Sequence, residues 1–262
     1  MLLNILFIGD IIGRTGRRAV ESRLHHLVDA GNVDLVVANG ENAAAGFGLT
    51  VNIAAELYDL GIDVITSGNH IWDKREIYDY LDREPRLLRP GNYPPGLPGR
   101  GSGVYSTAAG LKVGILNLEG RVFMNNLDCP FRAADREIEI LRQHTPIILV
   151  DFHAEATSEK AALGFYLDGR VSAVVGTHTH VQTADERVLA NGTAYISDAG
   201  LTGSRDAVIG MRKEEAIDKF LTQLPVRFEV AKKDPILCGV LIEVDEVTGR
   251  ALKIQRILEE VV

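Results

Sequence analysis

The sequence has almost no cysteine: Cys129 and Cys238 are the two in 262 residues, far apart and in no Cys-x-x-Cys pair. That excludes a disulfide framework and a thiolate metal site, and it fits a reducing cytoplasmic setting. Cations are in deficit, with 28 Lys and Arg against 36 Asp and Glu, for a formal charge of -8. A surface of that sign is unsuited to gripping extended nucleic acid through its phosphates, a mode that needs a basic face. No run reaches the roughly 18 apolar residues of a membrane span. The apolar start, Met1 to Ile8, has no basic residues in front and no small-residue cleavage site behind, so it reads as a first strand. Charged or low-complexity linkers are also missing, and residues 1–262 are expected to form one domain. Small phosphorylated ligands stay open, provided metal ions bring the positive charge.

What is present is an alternation of strand and helix patterns. Leu2–Ile8 is a near-continuous apolar run, the pattern of a strand covered on both faces in a parallel sheet. From Thr15 to Ala30 the period becomes helical, with Val20, Leu24, Leu27 and Val28 on one face and Gly31-Asn32 as the stop. A strand over Leu35–Ala38, a helix from near Thr50 to Gly61 and a strand over Val64–Ser67 follow. Such βαβ units predict a layered α/β sandwich. Residues 85–103 hold five prolines and five glycines and make an irregular break between two halves. Strands resume from Val104 and over Lys112–Leu118, then a helix near 133–142, a strand over Pro146–Phe152, a helix near 158–167 and a strand over Val171–Val175. A hairpin turning at Asn191-Gly192, a loop over 197–210, a helix over 213–221 and a closing hairpin around Thr248-Gly249 complete the chain.

The strand ends carry polar residues that their apolar lead-ins do not require: Asp10, then Glu41 and Asn42, then Asn69 and His70, then His153, then His178 and His180. Residues two apart in extended backbone point to one side, roughly 6 to 7 Å between Cα atoms. In His178-Thr179-His180 that spacing lets two imidazoles reach two ions about 3.5 to 4 Å apart, the separation used by binuclear hydrolases. Each residue alone has an ordinary explanation: Asp10, Asn42 and Asn69 could cap turns, and a lone loop histidine is more often packed or solvated than a ligand. Five strand ends presenting oxygen or imidazole donors at one edge of a sheet are much harder to attribute to chance, and ligands bind beyond the carboxyl ends of such strands. His25, His26 and His144 sit in helical or helix-flanking stretches and are read as structural or solvated.

A carboxylate, amide and imidazole set without thiolate suits first-row ions such as iron, manganese or zinc, whereas magnesium or calcium prefers an all-oxygen cage. Two divalent ions against the charges of Asp10 and Glu41 leave about +2, which draws in an anionic phosphate ester. Bound water with its pKa lowered towards about 7 then attacks in line with the leaving oxygen. The departing alkoxide needs a proton, and His70, one residue beyond Asn69, is the best placed general acid.

Gly9-Asp10, Gly68-Asn69-His70, His153 and Gly176-Thr177-His178-Thr179-His180 resemble the ordered motifs of the calcineurin-like metallophosphoesterase superfamily. Gly9-Asp10-Ile11-Ile12-Gly13, Asn39-Gly40-Glu41-Asn42, Asp151-Phe152-His153-Ala154-Glu155 and the run from Thr177 to Asp185 are similar to its YmdB-like branch, over essentially the whole chain. Two positions depart from the superfamily pattern: the usual Asp-x-His is Asp10-Ile11-Ile12, and the usual bridging aspartate is Glu41. The resemblance implies that Asn42 fills the missing place and that Glu41 bridges. It implies one ion on Asp10, Glu41, Asn42 and His180, a second on Glu41, Asn69, His153 and His178, and His70 as proton donor. It further implies a four-layered α/β/β/α sandwich, phosphodiesterase activity on 2′,3′-cyclic nucleotides, and homo-oligomers. The loop Asp198–Asp206 also resembles a glycine-rich stretch of that branch; Arg205 there could approach a phosphate or base, or the segment could be plain surface.

A phosphomonoesterase or phosphoprotein phosphatase on the same ions is the nearest enzymatic rival. A regulatory or RNA-associated protein with purely structural ions is the rival from another class. Replacing Glu41 by Gln separates that last reading from the enzymatic ones: the enzymatic reading expects folded, inactive protein by circular dichroism and assay, and the structural reading expects unfolding.

Overall fold

The computed structural model describes residues 2–261, with six helices and twelve strands among them. Met1, the first residue of the expected leading strand, lies outside the described residues. The strand β1 (Leu2–Ile8) shows why the apolar run has no polar face: Leu3, Ile5 and Phe7 point into one core cluster while Leu6 and Ile8 point into another. The helix α1 (Gly13–Gly31) follows, and its stop is Asn32 in the left-handed conformation at φ 45°, whose amide reaches back to Asp29 and Val28. Then come β2 (Leu35–Asn39), α2 (Val51–Asp59) and β3 (Val64–Thr66). Thr50 caps α2 by accepting from the Ile53 amide at 3.3 Å. A short helix α3 (Ile77–Arg83), which the sequence pattern does not announce, precedes the Pro- and Gly-rich segment. That segment carries the chain across from the first sheet: Leu88 donates to the Ile65 carbonyl at 2.8 Å and Gly91 to the Asn117 carbonyl at 2.8 Å.

The second half contributes β4 (Ser102–Ser106), β5 (Lys112–Glu119), α4 (Pro130–Leu141), β6 (Ile148–His153), α5 (Thr157–Tyr166) and β7 (Ala173–Thr177). The hairpin β8 (Arg187–Val188) and β9 (Ala194–Ile196) turns at Gly192, φ 94°. The expected loop over 197–210 contains a two-residue strand, β10 (Gly203–Ser204), and is followed by α6 (Lys213–Thr222) and the hairpin β11 (Pro235–Asp245) with β12 (Ala251–Glu260).

One sheet runs β10-β11-β1-β2-β3, with β12 paired to β11, and the other runs β4-β5-β6-β7-β9-β8. The sheets are mixed rather than purely parallel, because β11 pairs antiparallel with the whole of β1 and so separates it from β10. Three apolar clusters define four layers. The middle one joins Phe7, Val37 and Val240 of the first sheet to Ile115, Leu149 and Val175 of the second. The outer ones pack α1 and α2 on the first sheet and α4 and α5 on the second. The α/β/β/α order follows, and β1, β2, β3, β6 and β7 finish at one edge where both sheets meet.

Candidate metal centre

At that edge the two sheets are joined by polar side chains instead of apolar ones. Asp151, in the middle of β6 and fully buried, accepts from Asn39 (3.0 Å) and Thr66 (2.5 Å) of the first sheet and from Thr177 (2.7 Å) of the second. Asn117 and Ser67 add a reciprocal pair, each bond 3.0 Å. Burial pushes the Asp151 carboxyl up to about 7, against the charge of His153 and the hydroxyl donors. The lone carboxylate inside the apolar run 147–152 is the sequence signal for this hub, one that strand patterning alone passes over.

The structure brings together all the strand-end residues singled out above. Asp10, Glu41 and His180 offer ligand atoms within 4.8 Å of one another, and so do Glu41, His153 and His178; the two triads share Glu41. Asn69 Oδ1 lies 3.0 Å from His153 Nε2, and Asn42 Nδ2 lies 3.0 Å from Glu41 Oε1 and 3.3 Å from His180 Nε2. His70 stands beside the triads: its amide donates to Glu41 Oε2 at 3.1 Å, and its ring pairs with Asp73 at 2.9 Å. By contrast His25, His26 and His144 are exposed and belong to neither triad.

The hydrogen bonds at the outer nitrogens fix which ring nitrogen faces the centre. Thr177 gives its proton to Asp151, so its oxygen is left to accept from His153 Nδ1 at 2.9 Å. His178 Nε2 points at Glu155, 3.2 Å away, and His180 Nδ1 at the Ile209 carbonyl, 3.1 Å away. Each outer nitrogen therefore carries the proton, and each inner nitrogen turns a lone pair inward. With the His153 ring neutral, its Nε2 then meets Glu41 Oε1 (3.1 Å), Asn69 Oδ1 (3.0 Å) and His178 Nδ1 (3.1 Å), three acceptors with no proton between them. Buried Asp10 Oδ1 and Asn42 Oδ1 have no hydrogen-bond partner among the described residues. A half-turn of the Asn42 amide exchanges its two ends and points the oxygen at Glu41 and His180 instead.

Converging lone pairs at these spacings fit a cation. Donor atoms sharing one first-row ion at about 2.1 Å lie about 3 to 3.4 Å apart. The electrostatics ask for the same charge. Burial pushes Asp10 up, reinforced by Asp198 and Glu41 and opposed by His180 and His153. Burial would lower His153, but Glu41, Asp10 and Asp151 outweigh it and hold the ring up at about 9. Burial would raise Glu41, but His153 and His70 keep it at about 2, while burial and the His153 charge push His178 down to about 3. A proton on His153 is the smallest cation this cage can take, and a metal ion is the one its donor set suits.

Two further devices hold the geometry. A Cβ on Gly68 would fall 2.2 Å from His153 Cδ2 and 2.5 Å from Glu41 Oε2, so only glycine lets β3 end against the cluster. His178 and His180 adopt positive φ, 95° and 64°, and the strained turn is pinned through Thr179. Asp198 accepts from the Thr179 amide (3.0 Å) and hydroxyl (2.6 Å) and from the buried Lys160 ammonium (2.9 Å). Lys160 gives no sequence signal, and Asp198 is visible there only as part of a glycine-rich loop. Arg205 of that loop is engaged with Glu260, away from the cluster. Glu119, at the end of β5, pairs in register with His153 and keeps a buried oxygen without a partner; burial pushes it up to about 7.

Two mixed sheets face to face, flanked by helices, with a carboxylate, amide and imidazole cage where strands of both sheets end, define a metallophosphoesterase-type fold. The chain belongs to the YmdB-like protein family, whose description it matches over residues 6–257. It is similar to the 2′,3′-cyclic-nucleotide 2′-phosphodiesterase of Bacillus subtilis (strain 168), 52% identical over 256 residues that span 98% of this chain and 97% of the relative. Among solved structures it is similar to a hypothetical protein from Thermus thermophilus, with 43% identity and a TM-score of 0.92 over 98% of this chain and 99% of the other. It is also similar to a novel phosphatase from Mycoplasma pneumoniae, with 34% identity and a TM-score of 0.93 over 99% and 94%.

Gly68→Ala is expected to strip the site: bound metal, read by mass spectrometry, falls severalfold while far-ultraviolet circular dichroism stays unchanged. Glu119 gives a pH test in chelator-treated protein. Its folded value, about 7, exceeds the ordinary 4.5, so the folded state holds the extra proton and loses stability as pH rises from about 4.5 through 7. Urea midpoints of wild type should therefore fall across that window more steeply than those of Glu119→Gln.

Proposed function

We propose that this protein is a metal-dependent phosphoric diester hydrolase acting on small phosphodiesters, 2′,3′-cyclic nucleotides above all, with residues 1–262 as one domain. Two ions per chain, iron or manganese with zinc as the third candidate, would be held by the joined triads. Asp10, Glu41, Asn42 and His180 would take one, and Glu41, Asn69, His153 and His178 the other. The observation that carries this reading is the sharing of Glu41 between two triads at the wall of a cavity of about 480 Å³. The name of the 52% identical relative supports the substrate.

When bound, the ions supply an activated water and neutralise charge at phosphorus. The chain's own groups do the rest. His70 borders the cavity and sets its Nδ1 against Asp73, which leaves Nε2 free to hand a proton to the departing ribose oxygen. Phe47 packs edge-on against the His70 ring, centroids 5.2 Å apart, and restricts its swing. Phe47, Ile209, Phe220 and Phe228 form an apolar wall facing the triads, suited to a nucleobase. Glu155, 3.2 Å from His178, and Lys219 both line the cavity, so its wall beyond the triads carries one side-chain charge of each sign. The name of the 52% identical relative sets the diesterase reading ahead of the phosphatase one.

No helix among the described residues is long and apolar enough to cross a membrane. Cys129 and Cys238 are free thiols, and the reducing milieu that such thiols suit supports a cytoplasmic setting. Homo-oligomers are supported by the exposed apolar residues Ile217, Leu221 and Leu224 along and just past α6.

Metal titration followed by assay on 2′,3′-cAMP tests the reading: manganese- or iron-dependent hydrolysis is expected, and its absence in metal-loaded protein defeats it. The rate on bis-p-nitrophenyl phosphate should exceed that on p-nitrophenyl phosphate; a marked reversal would favour the phosphatase. His70→Ala should keep its metal yet lose about 10²- to 10⁴-fold in turnover. Metal loss in that variant would overturn the acid assignment.

A further inference from the structure

The chain carries eight more acidic than basic side chains, 36 against 28, yet one groove reverses the balance. It has a volume of about 640 Å³ and is edged by Arg14, Arg17, Lys74, Arg227 and Lys232, with Glu229 as its one carboxylate. Glu229 faces Arg212 at 3.6 Å, and Arg17 is held by Glu56 at 2.9 Å. The side chains of Arg14, Lys74, Arg227 and Lys232 make no hydrogen bond or ion pair among the described residues, and all four line the groove with their charge uncompensated. The start of α1 opens onto the same space, with Arg14 and Thr15 in its first turn and no side-chain cap. Gly13 donates to the Asn42 carbonyl and Gly16 to that of Ile12, and the Arg14 and Thr15 amides between them, without an acceptor among the described residues, add positive potential there.

The groove continues the proposed nucleotide cavity. Phe228 lines both, and the ridge that divides them is the turn Ala45–Gly48, with Ala45, Gly46 and Gly48 at positive φ. Lys74 leans over that ridge, its Cγ 3.0 Å from the Cβ position of Gly48, four residues after His70. An aromatic wall joined to a cationic track is how proteins hold single-stranded nucleic acid, bases on the rings and phosphates along the cations. A 2′,3′-cyclic phosphate need not sit on a free nucleotide. It forms whenever a ribose 2′-hydroxyl displaces the next nucleotide of a chain, and the residues upstream then each bring one more phosphate.

We infer that the substrates include short oligoribonucleotides ending in a 2′,3′-cyclic phosphate, the terminal nucleotide in the metal-side cavity and the upstream phosphates in the Arg14–Lys74–Arg227–Lys232 groove. The inference rests on the phosphodiesterase reading above. The acidic remainder of the surface confines the contact to a few nucleotides and keeps longer RNA from spreading over the protein.

The test compares manganese-loaded enzyme on 2′,3′-cAMP and on a triadenylate ending in a 2′,3′-cyclic phosphate, at two salt concentrations. At low salt the trinucleotide should have a kcat/KM at least about tenfold higher, gained in KM. That gain should fall with salt at about 0.7 logarithmic units per decade for each upstream phosphate. The double variant Arg227→Ser with Lys232→Ser should lose the gain and keep its rate on 2′,3′-cAMP. Equal kcat/KM on the two substrates, or a gain that survives in the double variant, overturns the groove assignment and leaves the phosphodiesterase reading standing. Failure to hydrolyse either substrate overturns both.

Discussion

The whole centre depends on one buried carboxylate. The candidate cage takes Asp10, Glu41 and Asn69 from the first sheet and His153, His178 and His180 from the second, so the sheets must hold one lateral position to within about 0.5 Å. Apolar packing between Phe7, Val37, Ile115 and Leu149 supplies cohesion but little direction. Asp151 supplies direction: three donors from both sheets converge on its two oxygens. Burying a carboxylate is costly, and directed donors are what make it tolerable. Slide one sheet past the other and the carboxylate is left bare, which makes the correct alignment the stable one.

The same carboxylate reaches the chemistry through Thr177. Because the hydroxyl donates to Asp151, it must accept from His153, and that choice turns the other imidazole nitrogen into a lone-pair donor facing the centre. Glu155 and the Ile209 carbonyl do likewise for His178 and His180. The cage thus presents donors in the form a metal takes, and without a cation it is a cluster of mutually repelling lone pairs. A cation in the cage would therefore stabilise the folded chain as it completed the site.

Much of this was written in the sequence, for a physical reason. Strand ends are local, and an apolar run that stops at Gly-Asp or Gly-Asn-His marks both the element and its polar terminus, so the eight clustered residues could be named in advance. What stayed hidden is long-range. The placement of β11 between β1 and β10 depends on pairing across more than two hundred residues, and the Lys160–Asp198–Thr179 clamp joins a helix to a loop with no shared period. Arg205 looked usable because it follows glycines, but the closing strand β12 supplied Glu260 and took it out of reach of the cluster. Net charge misled in the same way. A sum over the chain says nothing about where the uncompensated cations stand, and the groove beside α1 is a local exception to a global count.

Glu155 joins specificity to geometry in a single side chain. Its carboxylate fixes the His178 tautomer and also bears negative charge in the cavity wall. A residue placed there only to orient imidazole could be a backbone carbonyl, as it is for His180. A carboxylate adds repulsion, and repulsion grows with the charge of what enters, so a dianionic phosphate is opposed about twice as strongly as a monoanionic one at the same distance. The apolar wall of Phe47 and Phe228 lowers the local polarity and weakens screening, which sharpens that difference. Lys219 lines the same cavity, so the charge that an entering phosphate meets is set by Glu155, Lys219 and the cage together, and the carboxylate that fixes an imidazole also trims the pull of the cations around it.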